Sequence, residues 1–329
     1  MQADRAPPRR HHSGTVRRLA AWLLAWCAAA ALANPGVVVV LEPANAKHRA
    51  VLAAIQNNLR SGNQPTDAAR ISTLDVDSLA GNEPDPVSDG DPALIVTIGT
   101  RAARAALQRP GTTPVLSVFL PEAAYRQLTE SLPGDNPGRT SGAIVLDQPV
   151  RRQIAIAHSL LPDARRIGAL FSEPDGRLRK GFVTQAERFG LTANPLVIGE
   201  DDDPADGIER LMRDNELVVA VYDHRVFRPV TAKWMLYIGF QRHRPIVGFS
   251  YALLKAGAVA AVYSTPAQIG NHAAERIAAW LDHGASPGVE HPVYYSIGIN
   301  GPVADALGID VPDETAFGER VRRELEAAP

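Results

Sequence analysis

Cysteine is almost missing from this sequence: of its 329 residues only Cys27 carries a thiol. If the segment around it is removed, disulfides, thiolate catalysis and Cys-ligated metals are excluded together. Neither basic nor acidic residues are in marked excess. With 34 basic and 36 acidic residues the formal net charge is −2, which leaves no electrostatic footprint for nucleic acid. There is no G-x-x-x-x-G-K-S/T phosphate loop and no H-E-x-x-H. His224, His243 and His272 stand isolated and read as surface or helix-end histidines rather than metal ligands. The acidic stretch Glu200-Asp201-Asp202-Asp203-Pro204 lacks the glycine and terminal glutamate of a calcium loop, and reads as a solvated loop that caps a helix. No low-complexity tract and no fixed-period repeat occurs.

One long apolar run is present, Leu19 to Ala33, and Arg5, Arg9, Arg10, Arg17 and Arg18 precede it. A basic stretch, a short apolar run and a small-residue ending at Ala31-Leu32-Ala33 form the layout of a cleavable secretory signal. The run is shorter than the roughly 20 residues a membrane-crossing helix needs. A retained anchor that spans by tilting is the alternative. Trp26 just before Cys27 argues against cleavage and lipidation at that cysteine, because signal peptidases demand small side chains there. Cleavage after Ala33 would remove five Arg and one Asp, taking the formal charge from −2 to −6, and would leave a chain without cysteine, as suits an oxidising compartment.

Past this segment, apolar strand-like runs alternate with amphipathic stretches. The first series has strands at Val37–Leu41, Ile71–Val76, Leu94–Ile98 and Val115–Leu120, with helices around Ala50–Leu59, Arg101–Gln108 and Glu122–Ser131. Residues 132 to 142, LPGDNPGRTSG, separate it from a second series and read as the approach to a hinge. That second series places helices at Val150–Leu161, Arg177–Phe189, Ala205–Arg213 and Val230–Arg242. Its strands are Arg166–Phe171, Asn194–Ile198, Leu217–Tyr222, Ile246–Phe249 and Ala258–Tyr263. Most of these strands are apolar without alternation, as in parallel sheets covered by helices on both faces. The expected fold class is therefore α/β, two doubly wound parallel-sheet lobes joined by a hinge; a single core stops growing near 250–300 residues. After Thr265-Pro266 a long helix runs to Leu281, followed by a strand within Pro292–Ile299 and a short helix near Leu307. Periodicity leaves open which sheet these last elements join.

In open parallel sheets ligands bind beyond the carboxyl ends of the strands. Gly99 and Thr100 form one such end, with a glycine turn and a threonine expected to cap the next helix; the plain reading is an ordinary strand-turn-helix. Phe119 ends the fourth strand. In the second series Ser172 with Glu173, Tyr222 with Asp223, and Phe249 with Ser250 and Tyr251 combine aromatic and hydrogen-bonding groups. Asp223 suits an ammonium group, or else caps a helix or pairs with Arg225. Gly248-Phe249-Ser250-Tyr251-Ala252 misses the G-x-S-x-G nucleophile elbow by one residue, and no acid-then-histidine order follows it closely. A serine hydrolase is thus the weaker alternative.

These residues resemble the ABC-transporter substrate-binding proteins of the tryptophan-binding type, which have a type I periplasmic-binding fold. The resemblance is carried by Leu94 to Ala103 (LIVTIGTRAA), by Leu160 to Leu170 (LLPDARRIGAL), by Leu254-Lys255-Ala256-Gly257-Ala258 with Ile269-Gly270, and by the ending Asn300 to Pro312. It implies a signal peptide at 1–33, a first lobe from 34–143 and 265–329, and a second lobe from 144–264, with three crossovers. It also implies that the last long helix returns to the first lobe. The function implied is periplasmic capture of a small, amino-acid-like solute for an ABC permease, without enzymatic activity, cofactor, metal or nucleic acid, by a monomer. A periplasmic sensor or accessory binding module is the alternative. The ligand contacts expected from the strand ends are Gly99, Thr100, Phe119, Ser172, Tyr222, Asp223, Ser250 and Tyr251, and of these the resemblance singles out Thr100 and Asp223. Pro121-Glu122-Ala123 stands where the family has Thr-Asp-Pro, and Asp223-His224 where it has Asp-Asn. Ser250-Tyr251 replaces a position where an acidic residue is common. The departures fall on ligand-facing loops, so specificity is open while the scaffold is not.

Overall fold

The computed structural model describes residues 36–61, 70–79, 92–131, 139–172, 176–199, 201–284 and 288–327. The signal segment with Cys27, residues 132–138 of the linker, Glu173 and Glu200 lie outside the described residues.

Two sheets of six strands each organise the chain. The first contains β1 (Gly36–Leu41), β2 (Arg70–Asp75), β3 (Leu94–Ile98), β4 (Val115–Leu120), β5 (Ser141–Val145) and β11 (Val289–Glu290), in the order β11-β5-β4-β3-β1-β2. Every pairing in it is parallel. The unbroken valines of β1 follow from burial on both faces. Val37, Val39 and Leu41 pack with Val51 and Ile55 of α1 (Ala46–Ser61) and Ile269 of α9 (Pro266–His283), while Val38 and Val40 face Ala102, Ala106 and Leu107 of α2 (Thr100–Leu107). The remaining helix of this lobe is α3 (Glu122–Glu130), which buries Tyr125 and Leu128. Buried Thr97 and Ser117 satisfy each other across β3 and β4 at 3.1 Å.

The second sheet contains β6 (Arg166–Ser172), β7 (Thr192–Ile198), β8 (Leu217–Val219), β9 (Ile246–Gly248), β10 (Ala260–Tyr263) and β12 (Ser296–Ile299), ordered β12-β10-β9-β8-β6-β7. Only β12 runs antiparallel within it. It is covered by α4 (Val150–Leu160), α5 (Gly176–Arg188), α6 (Pro204–Asp214), α7 (Pro229–Gln241), α8 (Tyr251–Ala256), α10 (Gly301–Ala306) and α11 (Glu314–Ala327). As the acidic stretch suggested, Asp203 caps α6, its carboxylate accepting the Ala205 N–H at 2.8 Å.

Two expectations need correction. Ser141 and Gly142, read as the end of the linker, begin a fifth strand that pairs with β4 through Val115↔Ser141 and Val118↔Ile144. The span 265–329 does not go to the first lobe as a whole. Helix α9 packs there and β11 joins the first sheet, but β12 pairs with β10, and α11 buries Phe317 and Val321 beside Ile154, Ala157 and Leu160 of the second lobe. Burial of that apolar stripe decides the placement. His158 with Glu324 at 3.1 Å, and Arg320 with the Ser159 carbonyl at 3.2 Å, fix α11 along α4.

The chain therefore passes between the sheets three times: at residues 146–149, at 264–265 and at 291–295. The second passage leads into α9 through a capping box. Thr265 Oγ1 accepts the Gln268 N–H at 3.2 Å, Gln268 Oε1 accepts the Thr265 N–H at 2.8 Å, and Pro266 opens the helix.

Candidate functional site

The carboxyl ends of the two sheets face each other across a cavity of about 960 Å³. The first lobe contributes Phe119 from the end of β4, Pro121 after it and Leu146 after β5; the second contributes Val221 and Tyr222 after β8, Phe249 after β9 and Tyr263 from β10. Tyr222 meets Phe249 edge to face with ring centroids 5.2 Å apart, and Tyr251 lies 5.3 Å from Tyr263. Aromatic walls of this kind supply a large apolar contact area with few rotamers to freeze. Polar groups enter mainly from the passages between the lobes: Asp147, Gln148, Ser264, Thr265 and His291.

Those passages are tied to one another. Gln148 Nε2 donates to Ser264 Oγ at 2.9 Å, and Ser264 Oγ donates to the Tyr294 carbonyl at 2.7 Å, so one chain of bonds crosses all three segments. The Arg152 guanidinium donates to Gln148 Oε1 and to the Pro292 carbonyl, both at 2.8 Å, and lies 3.9 Å above the Tyr295 ring. A second link joins His291 Nδ1 to the Asp147 carbonyl at 3.0 Å. Across the mouth of the cavity Arg177 of α5 pairs with Glu122 of α3 at 2.9 Å.

Of the residues expected to touch ligand, Phe119, Tyr222, Ser250 and Tyr251 line this cavity, whereas Gly99, Thr100, Ser172 and Asp223 do not. The reasons are local. Thr100 is the first residue of α2 rather than its cap. The cap is Gly99, at φ 90°, and no side chain bonds there. His48 covers that turn: a Cβ on Gly99 would stand 2.6 Å from the imidazole Cε1. Asp223 is buried, 4% exposed, and its acceptors are taken by Ser172 N–H at 2.8 Å, Ser172 Oγ at 2.7 Å and Arg225 N–H at 3.0 Å. It ties the end of β6 to the turn after β8. Ser250 caps α8, with Oγ accepting the Leu253 N–H at 3.2 Å, and among the described residues no histidine bonds to it. His224 and His243 are exposed, but His272 is fully buried, with Nε2 3.0 Å from Glu290 Oε2.

Phe119 reaches the cavity at a cost. It has φ 60°, a left-handed backbone unusual for a non-glycine residue, at the point where the pairing of β4 with β5 shifts register between Val118 and Leu120. The irregularity turns the ring toward the cavity and against His48, at 5.9 Å and 84°. Strand-end reasoning did not find Asp147 and Gln148. Asp147 Oδ2 accepts the Glu122 N–H at 2.7 Å, and burial, the largest influence, raises its carboxyl above the usual range. Burial raises the Tyr222 phenol as well, with the charges of Asp147 and Asp223 adding to it. Pro149, at the cap of α4, marks in the sequence only where that helix starts.

Two parallel-sheet lobes, three tied passages and an aromatic cavity at the facing strand ends define a hinged α/β ligand-binding protein. Residues 75–316 match the family model described as ABC transporter substrate binding protein, and the chain belongs to that family. No curated protein matches it in sequence. Among solved structures it is similar to a Streptococcus pneumonia ABC domain in complex with L-Trp, at 20% identity and TM-score 0.54 over 88% of this chain and 98% of that one. A conserved domain protein from Vibrio cholerae matches at 19% identity and TM-score 0.54, covering 87% and 98% of the two chains. The ligand-free, open form of a substrate binding protein with adhesive properties from Clostridium difficile matches at 17% identity and TM-score 0.63, covering 85% and 96%. At such identities the likeness speaks for the fold.

Proposed function

We propose that this protein captures a small solute in the cavity between its lobes, closes on it about the three passages, and presents it to an ABC importer. The observation that carries the reading is the aromatic-walled cavity, about 960 Å³, bounded by strand ends of both sheets and by hinge residues. A cavity of this size suits a single small molecule, with burial of an apolar body setting affinity and a few polar groups setting orientation. Family membership supports the transport role. The basic and apolar segment before Ala33 supports export to the periplasm, and no helix among the described residues is long and apolar enough to cross a membrane. Reversible capture asks for no covalent step, and Ser250, the one residue with a nucleophile-like setting, serves as a helix cap.

A thermal-shift screen against amino acids, other amines, organic acids and sugars tests the reading. A true ligand raises the unfolding midpoint with dose, by about 2.7 kcal/mol of added stability at a hundredfold excess over its dissociation constant. Tyr222→Ala should weaken that response. No shift with any class of solute would count against capture. A hit that Tyr222→Ala leaves unchanged would place binding outside the cavity.

A further inference from the structure

The charges that line the cavity balance in number but are not all paired. Its ionisable side chains include Lys47, Glu122, Asp147, Arg177 and His291. Arg177 is engaged with Glu122 at 2.9 Å. Lys47 is exposed on the first turn of α1, and His291 is exposed and spends its Nδ1 on the Asp147 backbone carbonyl. Asp147 differs from all of these. It is half-buried, its carboxylate takes the Glu122 N–H, and among the described residues no Lys, Arg or His forms an ion pair with it. Burial of this carboxylate outweighs the nearby His291 imidazole, the one basic group that offsets it, and a cation arriving with the ligand removes that cost. The surroundings suit the same guest. Tyr222 is near enough to sense the Asp147 charge, and Phe119, Phe249 and Tyr251 complete walls whose ring faces attract cations. An anionic guest would meet Asp147, with exposed Lys47 and His291 and the Glu122-bound Arg177 as the basic groups of the lining.

We infer that the cavity selects solutes with an ammonium head on an apolar body, the head on Asp147 and the body among Tyr222, Phe249 and Tyr251. This rests on the capture reading and deepens it. Asp147 thus takes the part that the sequence suggested for Asp223, whose oxygens are already used by Ser172 and Arg225.

Calorimetric titration of the whole chain from Asn34 with phenethylamine, tyramine and tryptamine, against the matched anions phenylpropionate, hydroxyphenylpropionate and indolepropionate, tests the inference. The amines are expected to bind and the acids not. Asp147→Asn, which keeps an acceptor for the Glu122 N–H, should weaken the amines about tenfold or more, the scale of one charged hydrogen bond. The comparison of amine with acid in the unaltered protein reads the sign of the preferred charge even if that variant fails to fold. Acids that bind as tightly as amines would overturn the inference, and so would amine affinity indifferent to Asp147→Asn. Should all six fail while a sugar or an organic acid from the wider screen binds, the charge assignment falls and capture stands. Should nothing of any class bind, both fall.

Discussion

At Phe119 one residue holds a conformation its chemistry disfavours, and the cavity gains a ring by it. The left-handed region costs an L-residue roughly 1–2 kcal/mol, a cost glycine does not bear. Truncation variants separate backbone from side chain. Phe119→Gly should be more stable than Phe119→Ala by about 1 kcal/mol in urea unfolding, the reverse of the order expected at an ordinary strand position. Both should lose ligand affinity. Two buried imidazoles supply a second residue-scale prediction. Burial holds His48 and His272 below the ordinary histidine value, outweighing the nearby Glu42 and Glu290 carboxylates that push the other way. The unfolded chain therefore binds protons near pH 6.5 that the folded protein refuses, so this contribution is complete above about pH 6.5 and is lost on acidification toward the lower folded values. The thermal midpoint should fall from pH 7 to about pH 5, and His272→Gln should flatten the fall. A midpoint level across that range would contradict the burial argument. At this scale the sequence was half legible. Strand ends mark Phe119, Tyr222, Ser250 and Tyr251, which line the cavity, but no periodicity marks the passage that brings Asp147 to it. Nothing in the neighbourhood of Asp223 announces that Ser172, 51 positions away, will occupy it.

Among the elements, legibility followed burial. Strands covered on both faces are continuous apolar runs, and β1, β3, β4, β6 and β9 stand out for that reason. Strand β5 hid because it opens on Ser141-Gly142-Ala143 behind a stretch rich in glycine and proline, and β11 is only two residues long. The destination of α11 depended on which lobe offered a surface for Phe317 and Val321, a tertiary fact that its own pattern cannot encode. The pairing of α9 with α1 gives the test at this level. A Cβ on Gly270 would stand 2.6 Å from both the Ala54 Cβ and the Val51 carbonyl oxygen, so glycine sets how closely the two helices pack. Gly270→Ala, which would favour an isolated helix, should instead destabilise the first lobe by about 1–3 kcal/mol in denaturant unfolding. An unchanged or raised midpoint would show that α9 can retreat without loss.

For the whole molecule, capture as proposed needs a balance between an open and a closed form. The pair of Glu122 and Arg177 spans the mouth, but their side chains are 23% and 57% exposed, and such a surface pair contributes about 0–1 kcal/mol. On the capture reading a pair this weak would favour closure without locking the lobes. The bonds through Gln148, Ser264 and Arg152 join the three passages to one another. On the capture reading, a solute that touches Phe119 on one lobe and Tyr222 on the other makes its full set of contacts only when they close, and that difference in affinity would shift the balance. Small-angle scattering on the chain from Asn34, with and without a saturating ligand from the thermal screen, measures this directly. The radius of gyration should fall on addition of ligand, and Tyr222→Ala should abolish the fall at the same ligand concentration. Binding with no change in radius, or an equal change in the variant, would contradict capture by closure of the two lobes.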